Sequence, residues 1–350
     1  MTRVRSSPLP LIATVVGTAA LGVLGALVSL SVGESRVPLA DVVEALSGAG
    51  DTFTRLVVLE FRAPRVAAAL VVGACLGLAG AILQSVARNP LASPDLLGIN
   101  AGASVAAVTV LVLAGSNGGI AGLAASVGLP LAALAGAGLS GLALYVLAIR
   151  RRRLDPVRMV VVGVGIAAAG TSLVSWLLTI GDVMVVGPAI AWLSGSLHAA
   201  TWPRVASVAI AAVVAVPLLA VWGRRLDLLV LGDDAAGGLG LGVDRARILL
   251  LLVATALAGA ATSLAGALVF LPLCAPQLAR ALARADRPPL AASALTGAAL
   301  LVWADVAARM GLSWLGVGLI ELPVGVLTAC LGAPYLLLVI ARQRTEGSLV

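Results

Sequence analysis

Lysine is absent from this chain: all 23 basic residues are arginines. A standard phosphate-binding loop needs a lysine to reach the phosphates. The polypeptide therefore carries no such loop of its own, although the Gly-rich stretch LGDDAAGGLGLGVD at 231–244 invites that reading. Histidine is nearly absent too. The single His198 lies far from any cysteine, and no carboxylate pair or Ser/His/Asp set is suggested by spacing, so neither catalysis nor a metal site is expected. It reads as a solvated loop residue. The three cysteines, Cys75, Cys274 and Cys330, sit in apolar sequence without CxxC spacing and read as packing residues. Aromatic residues make up only 3%. The net charge of +7 therefore does not point to nucleic acid, because the arginines fall in short clusters between apolar stretches, the pattern of membrane topology signals.

Charge of either sign is also scarce, at 11% of residues against roughly 25% in a soluble domain. What fills the chain instead is apolar: 61% hydrophobic residues and a mean hydropathy of +1.11. About 20 apolar residues cross the roughly 30 Å of a bilayer's hydrocarbon. Candidate spans run over 9–32, 66–87, 96–115, 121–148, 158–180, 203–222, 248–269, 270–283, 290–308 and 323–340, separated by Pro, Gly or charge. This predicts an all-α integral membrane protein of about ten transmembrane helices, one domain over 1–350. The first span follows Arg3 and Arg5, is long for a signal-peptide core and lacks an A-x-A cleavage site, so it reads as a retained helix.

Placing both termini in the cytoplasm puts Arg88, Arg150 to Arg153, Arg158, Arg224, Arg225, Arg245, Arg247, Arg280, Arg284, Arg287, Arg342 and Arg344 inside with Arg3 and Arg5. Only Arg36, Arg55, Arg62, Arg65, Arg204 and Arg309 then lie outside, as the excess of positive charge on cytoplasmic loops requires. The segment 33–61 becomes an extracytoplasmic loop, and 226–247 a cytoplasmic loop long enough for one or two short helices. LAGA occurs at 78–81 and again at 264–267, with Pro90 and Pro276 at matching distances, which suggests an inverted repeat of helices 2–5 and 7–10. Gly73-xxx-Gly77 and Gly136-xxx-Ser140 allow close helix packing. No Asp/Glu/His chain expected of a proton-coupled carrier is visible. Asp305, the nearest candidate, lies toward a helix end. Energy should then come from a partner received at the cytoplasmic loop. The competing readings are a stand-alone secondary transporter and a membrane scaffold.

Five blocks carry a resemblance that extends from Arg62 to about Ile340. They are FRAPRVAAALVVGACLGLAGAILQSVARNPLASPDLLGINAGA at 61–103, WLSGSL at 192–197, LGDDAAGGLGLGVD at 231–244, ADVAAR at 304–309 and ELPVGVLTACLGAP at 321–334. In these the chain resembles the permease subunits of binding-protein-dependent ABC importers for ferric siderophores, haem and vitamin B12, the FecCD-type, type II importers. The resemblance implies a bacterial cytoplasmic membrane protein, multi-pass, in which two permease chains flank a central pathway. It further implies two separate ATP-binding subunits that hold ATP and Mg, with no cofactor in this chain, and an extracytoplasmic substrate-binding protein. WLSGSLHAATW is more similar to permeases that form half of a heterodimer in ferric siderophore systems than to the homodimeric haem or vitamin B12 type, which stay as alternatives.

By the same resemblance the ATPase coupling segment maps to roughly Leu228 to Val243, with Leu231, Gly232, Asp233, Asp234, Ala235, Ala236, Leu239, Gly240, Leu241 and Gly242 as its site residues. Arg62, Arg65 and Arg309 match arginines that dock the binding protein, with lipid-headgroup anchoring as the alternative. The chain departs from the family where a Pro-His pair is usual: here Pro276 precedes Gln277, and Pro272 is expected to alter the bend between helices seven and eight.

Overall fold

The computed structural model describes residues 9–33, 36–115, 128–150, 153–230, 232–314 and 321–347. Along the chain the helices are α1 (Leu9–Ser31), α2 (Leu39–Leu46), α3 (Thr52–Leu56), α4 (Ala63–Ala87), α5 (Ile99–Gly115), α6 (Leu129–Ala148), α7 (Pro156–Ile180), α8 (Val183–Leu193), α9 (Trp202–Val230), α10 (Asp233–Gly238), α11 (Val243–Ala265), α12 (Leu271–Ala283), α13 (Leu290–Trp314) and α14 (Val324–Gly347). Two-residue strands β1 (Ile149–Arg150) and β2 (Arg153–Leu154) pair antiparallel after α6. The ten predicted spans correspond to α1, α4, α5, α6, α7, α9, α11, α12, α13 and α14. Among the described residues seven helices are long and apolar enough to cross a membrane by length and composition, and α5, α8 and α14 supply shorter apolar segments.

Burial separates these helices into a core and a periphery. From Cys75 to Ala87 every residue of α4 is buried, and α11 is enclosed almost as fully. A helix apolar all round belongs inside a bundle. α4 packs against α13, α11, α12 and α9, while α1, α7 and α9 bury few residues and turn Leu24, Val161 and Val213, among others, outward. Small residues set the closest approaches. A Cβ on Gly73 would lie 2.4 Å from the Gly297 carbonyl oxygen, and one on Gly297 would lie 2.2 Å from that of Gly73. Gly77 meets Ser293 in the same way, so the predicted Gly73-xxx-Gly77 face is the α4–α13 contact. The second predicted pair works between α5 and α6: Gly136 abuts Gly102, and Ser140 Oγ donates to the Gly98 carbonyl at 2.6 Å.

Three expectations need correction. The 33–61 connection is largely helical, through α2, α3 and a π-helical stretch Val57–Arg62 that runs directly into α4. α2 escapes a hydropathy scan because it is short and amphipathic: Val42 and Ala45 pack with Leu30 and Val58, while Leu39, Val43 and Leu46 stay exposed. The span expected over 248–269 instead covers Val243–Ala265, and 266–270 is not helical. Finally, Pro272 bends nothing. It lies in the first turn of α12, where its missing N–H costs no helical hydrogen bond; the chain is redirected by the left-handed residues Gly266 (φ 73°) and Phe270 (φ 63°). The LAGA copies differ locally, since the first lies inside α4 and the second ends α11.

Candidate functional site

α4 carries an arginine cluster near its first residues and another ion-paired arginine at its last, so the two predicted sites lie at opposite ends of one helix. At the first end, Arg65 reaches across to α13: its Nε donates to Asp305 Oδ1 and Oδ2 at 3.0 and 3.2 Å, and its second arm pairs with Glu321 at 3.0 Å. Arg309, one turn after Asp305, pairs with the same carboxylate at 3.1 Å and donates to the Val32 carbonyl at 3.1 Å and to Ser29 Oγ. Arg62 is buried and donates to the Leu30 carbonyl at 2.7 Å. The three arginines expected to dock a binding protein lie near one end of α4, turned inward and occupied within the chain. Asp305, only 1% exposed, is the shared counter-ion of Arg65 and Arg309. Sequence reasoning placed Asp305 near a helix end without a partner and missed Glu321. Nothing in local spacing links Arg65 to residues 240 and 256 positions away. Glu321 is 37% exposed, and His198, itself largely in solvent, has Nδ1 3.7 Å from it.

The segment expected to couple to an ATPase, Leu228 to Val243, is divided between elements. Leu228 and Val230 belong to α9, and the single short helix α10 is followed by Leu239–Gly242. Leu231 lies outside the described residues. The remaining predicted residues divide by burial. Ala236 and Leu241 are buried; Asp234, Ala235, Leu239, Gly240 and Gly242 are exposed, with Leu239 an uncovered large apolar side chain; Gly232 and Asp233 are intermediate.

Asp233, in the first turn of α10, takes a bidentate pair from Arg247, whose two terminal nitrogens lie 2.8 and 2.7 Å from Oδ2 and Oδ1. Arg88, the C-cap of α4, bonds the same carboxylate and donates its Nε to the Leu229 carbonyl at 2.9 Å. Burial alone would raise the Asp233 pKa, but Arg247 and then Arg88 outweigh it and hold the carboxyl below its usual range. Arg247 also donates to the Leu154 carbonyl at 3.2 Å, and Asp244 accepts from the Leu154 N–H at 3.3 Å. A cavity of about 280 Å³ beside this network is lined by Arg153, Asp233, Asp234, Gly237, Leu241, Val243 and Asp244.

Between the two ends, the blocks singled out in the sequence meet. A Cβ on Gly266 would lie 2.2 Å from the Trp192 carbonyl oxygen, and one on Gly325 2.0 Å from that of Ser194, so the 192–197 block packs onto both the α11–α12 connection and the start of α14. Asn100 donates to the Leu268 carbonyl at 3.3 Å and accepts from Thr262 Oγ1 at 3.2 Å. Gln277, where the family histidine is usual, donates to Gln84 Oε1 at 2.6 Å and to the Pro90 carbonyl at 3.2 Å. A neutral amide pair thus ties α12 to α4 and to the turn that follows it. Among the described residues no group of three or more His, Cys, Asp or Glu side chains is placed to hold a metal.

Comparison with known proteins gives one consistent answer. The model of the FecCD transport family matches residues 21–342. The chain is 36% identical to the ferric enterobactin transport system permease protein FepG of Escherichia coli (strain K12), over 89% of this chain and 90% of that one. It is 37% identical to the achromobactin transport system permease protein CbrC of Dickeya dadantii (strain 3937), over 94% of this chain and 91% of that one. Among solved structures, an inward-facing metal-chelate type ABC transporter superposes with a TM-score of 0.79 at 24% identity, covering 94% of this chain and 98% of that one.

Proposed function

Because the chain belongs to the FecCD transport family, we propose that it is the permease subunit of an ATP-driven, binding-protein-dependent importer of ferric siderophores and forms half of the translocation pathway. It is a multi-pass membrane protein and a transport permease, not an enzyme. ATP hydrolysis belongs to a separate subunit that holds ATP and Mg, and docks on the exposed side of α10, where Asp234, Ala235 and Leu239 face outward. The Asp234 carboxylate and the uncovered Leu239 give that face both charge and apolar contact area. The observation that carries the substrate reading is the similarity to the ferric enterobactin and achromobactin permeases over nine-tenths of their length.

In this reading the binding protein docks over the Arg62, Arg65 and Arg309 cluster. Since Asp305 is buried and Glu321 partly exposed, a carboxylate of the binding protein would compete with Glu321 for the outer arm of Arg65. Glu321→Gln is expected to tighten docking severalfold at low salt and less at high salt, read as the Kd of the purified binding protein for the permease in nanodiscs. No change at either ionic strength would take Arg65 out of the docking surface.

The reading is tested by uptake of radiolabelled iron, offered as a panel of siderophores, in cells with the gene deleted and restored, alongside labelled haem and vitamin B12. Loss and rescue for one siderophore establishes ferric-chelate import. Loss confined to haem or corrinoid keeps the mechanism and moves the substrate; no change in any of them removes the importer assignment.

A further inference from the structure

Four of the ten residues expected to couple, Asp233, Asp234, Ala235 and Ala236, lie on α10, and one of the two carboxylates does not face outward. Asp233 turns back into the chain, where both its oxygens are taken by Arg247 and one is shared with Arg88. Through these two arginines a single carboxylate reaches α10, the inner end of α4, the last turn of α9 by way of the Leu229 carbonyl, the first turns of α11, and the β2 strand by way of the Leu154 carbonyl. We infer that Asp233 is a positioning residue that locks the coupling helix to the core helices, so that a displacement of α10 is delivered to α4. The inference rests on α10 being the contact for the ATP-binding subunit.

Three features carry the argument. First, α10 has only six residues and buries only Ala236, so its own hydrogen bonds and packing hold it weakly. Its attachment depends on the side chains that leave it. Second, Arg247 is 1% exposed, and among the described residues its Nε has no hydrogen-bond partner. A buried guanidinium is tolerated only while paired, so moving α10 away from α11 would leave an uncompensated charge inside the protein. The bidentate fork also fixes direction, because both bonds are kept only if the carboxylate and the guanidinium stay coplanar. Displacing α10 together with the ends of α4 and α11 avoids both costs, and the low-energy motion is the concerted one. Third, Arg88 is a non-glycine residue at φ 48°, held in a left-handed C-cap while its side chain bonds Leu229 and Asp233. Any shift of α10 is thus applied to the terminal residue of α4 rather than to a pliant loop.

The test uses the complete importer, reconstituted in liposomes with its ATP-binding subunit and binding protein, and reads chelate imported per ATP hydrolysed together with the ATP-binding subunit retained. Asp233→Asn keeps the shape and removes the charge. It is expected to lower import per ATP about tenfold while subunit retention changes by less than about twofold, and Asp233→Glu is expected to recover about half of the loss. A variant that is merely less well folded would lower the amount of active complex but not that ratio. If Asp233→Asn keeps the wild-type ratio, or loses the ATP-binding subunit while the complex that remains couples normally, the residue is not a lock and the inference falls. Should Asp233→Asn fail to accumulate, Arg88→Ala severs one arm from the more exposed side, and an unchanged ratio there overturns the inference equally. Wild-type protein that neither binds an ATP-binding subunit nor imports on ATP would overturn the function proposed above, an outcome seen before any variant is made.

Discussion

Asp305 shows how much one side chain can hold. Two guanidinium groups converge on a carboxylate that solvent does not reach, and among the described residues neither has another acidic partner of equal burial. Removing one member of a buried ion pair leaves charge uncompensated, at a cost of about 3–5 kcal/mol, whereas a pair with an exposed member contributes about 1 kcal/mol or less. Asp305→Asn is therefore expected to lower the melting temperature of the purified permease sharply and Glu321→Gln hardly at all, measured side by side in one detergent. Equal effects would mean that the cluster is held by Glu321. Little of this was legible in the sequence. Arg62, Arg65 and Arg309 stand out in the sequence, but the inward pairing of Arg65 and Arg309 depends on Asp305, which only the packing of α13 on α4 brings into reach. The Gln277–Gln84 pair was half legible, because the missing histidine drew attention to position 277 while its partner lay on a helix read only as apolar.

At the scale of elements, α4 is the part that joins the two ends. Its 25 residues span about 37 Å, with Arg65 ion-paired to α13 at one end and Arg88 to α10 at the other. Between them, small residues let neighbouring backbones touch it. A Cβ on Gly80 would lie 1.7 Å from the Pro272 carbonyl oxygen, a contact that only backbone movement could relieve. Gly80→Ala should therefore push α12 away from α4, break the Gln84–Leu273 hydrogen bond and prevent accumulation of folded protein, or lower its stability by several kcal/mol, roughly the range of core overpacking or more. Gly138→Ala is the contrasting case, with nothing within 4 Å of the added methyl in α6, and should be neutral or stabilise by about 0.5–1 kcal/mol. Thermal melts of both variants decide the point, and a tolerated Gly80→Ala would refute the close approach. The Gly73-xxx-Gly77 spacing announced its own contact because both partners lie on regular helices. The Gly80 contact did not, because it is made by the first turn of a helix whose start is set by two left-handed residues. The ten spans were readable for a simpler reason: a long apolar run has few other uses. α2 and α3 were not, since short amphipathic helices at a membrane surface leave no hydropathy signal.

For the molecule as a whole, the distribution of arginine makes a statement about orientation that the helix packing does not by itself contain. Arg88, Arg247 and Arg287 gather at one end of the bundle with Asp227, Asp233 and Asp244; Arg62, Arg65 and Arg309 gather at the other with Asp305 and Glu321. The first end also carries Arg153, Arg158, Arg225, Arg245, Arg280 and Arg284, and by the excess of positive charge on cytoplasmic loops this is the end expected to face the cytoplasm. The orientation is checked by labelling intact cells with a membrane-impermeant maleimide. Cys75 and Cys274 are buried and can remain, while the exposed Cys330 is first changed to serine. On that background His198→Cys should label in intact cells, since its side chain is 79% exposed beside Glu321, whereas Asp234→Cys, exposed on α10, should label only after the membrane is opened. The reverse pattern would put α10 outside, where no ATP-binding subunit could meet it, and the coupling role of Asp233 would fall together with the cytoplasmic placement of both termini. Labelling as expected would put α10 where an ATP-binding subunit can push it, with the Asp233, Arg247 and Arg88 pairs to carry that push to α4.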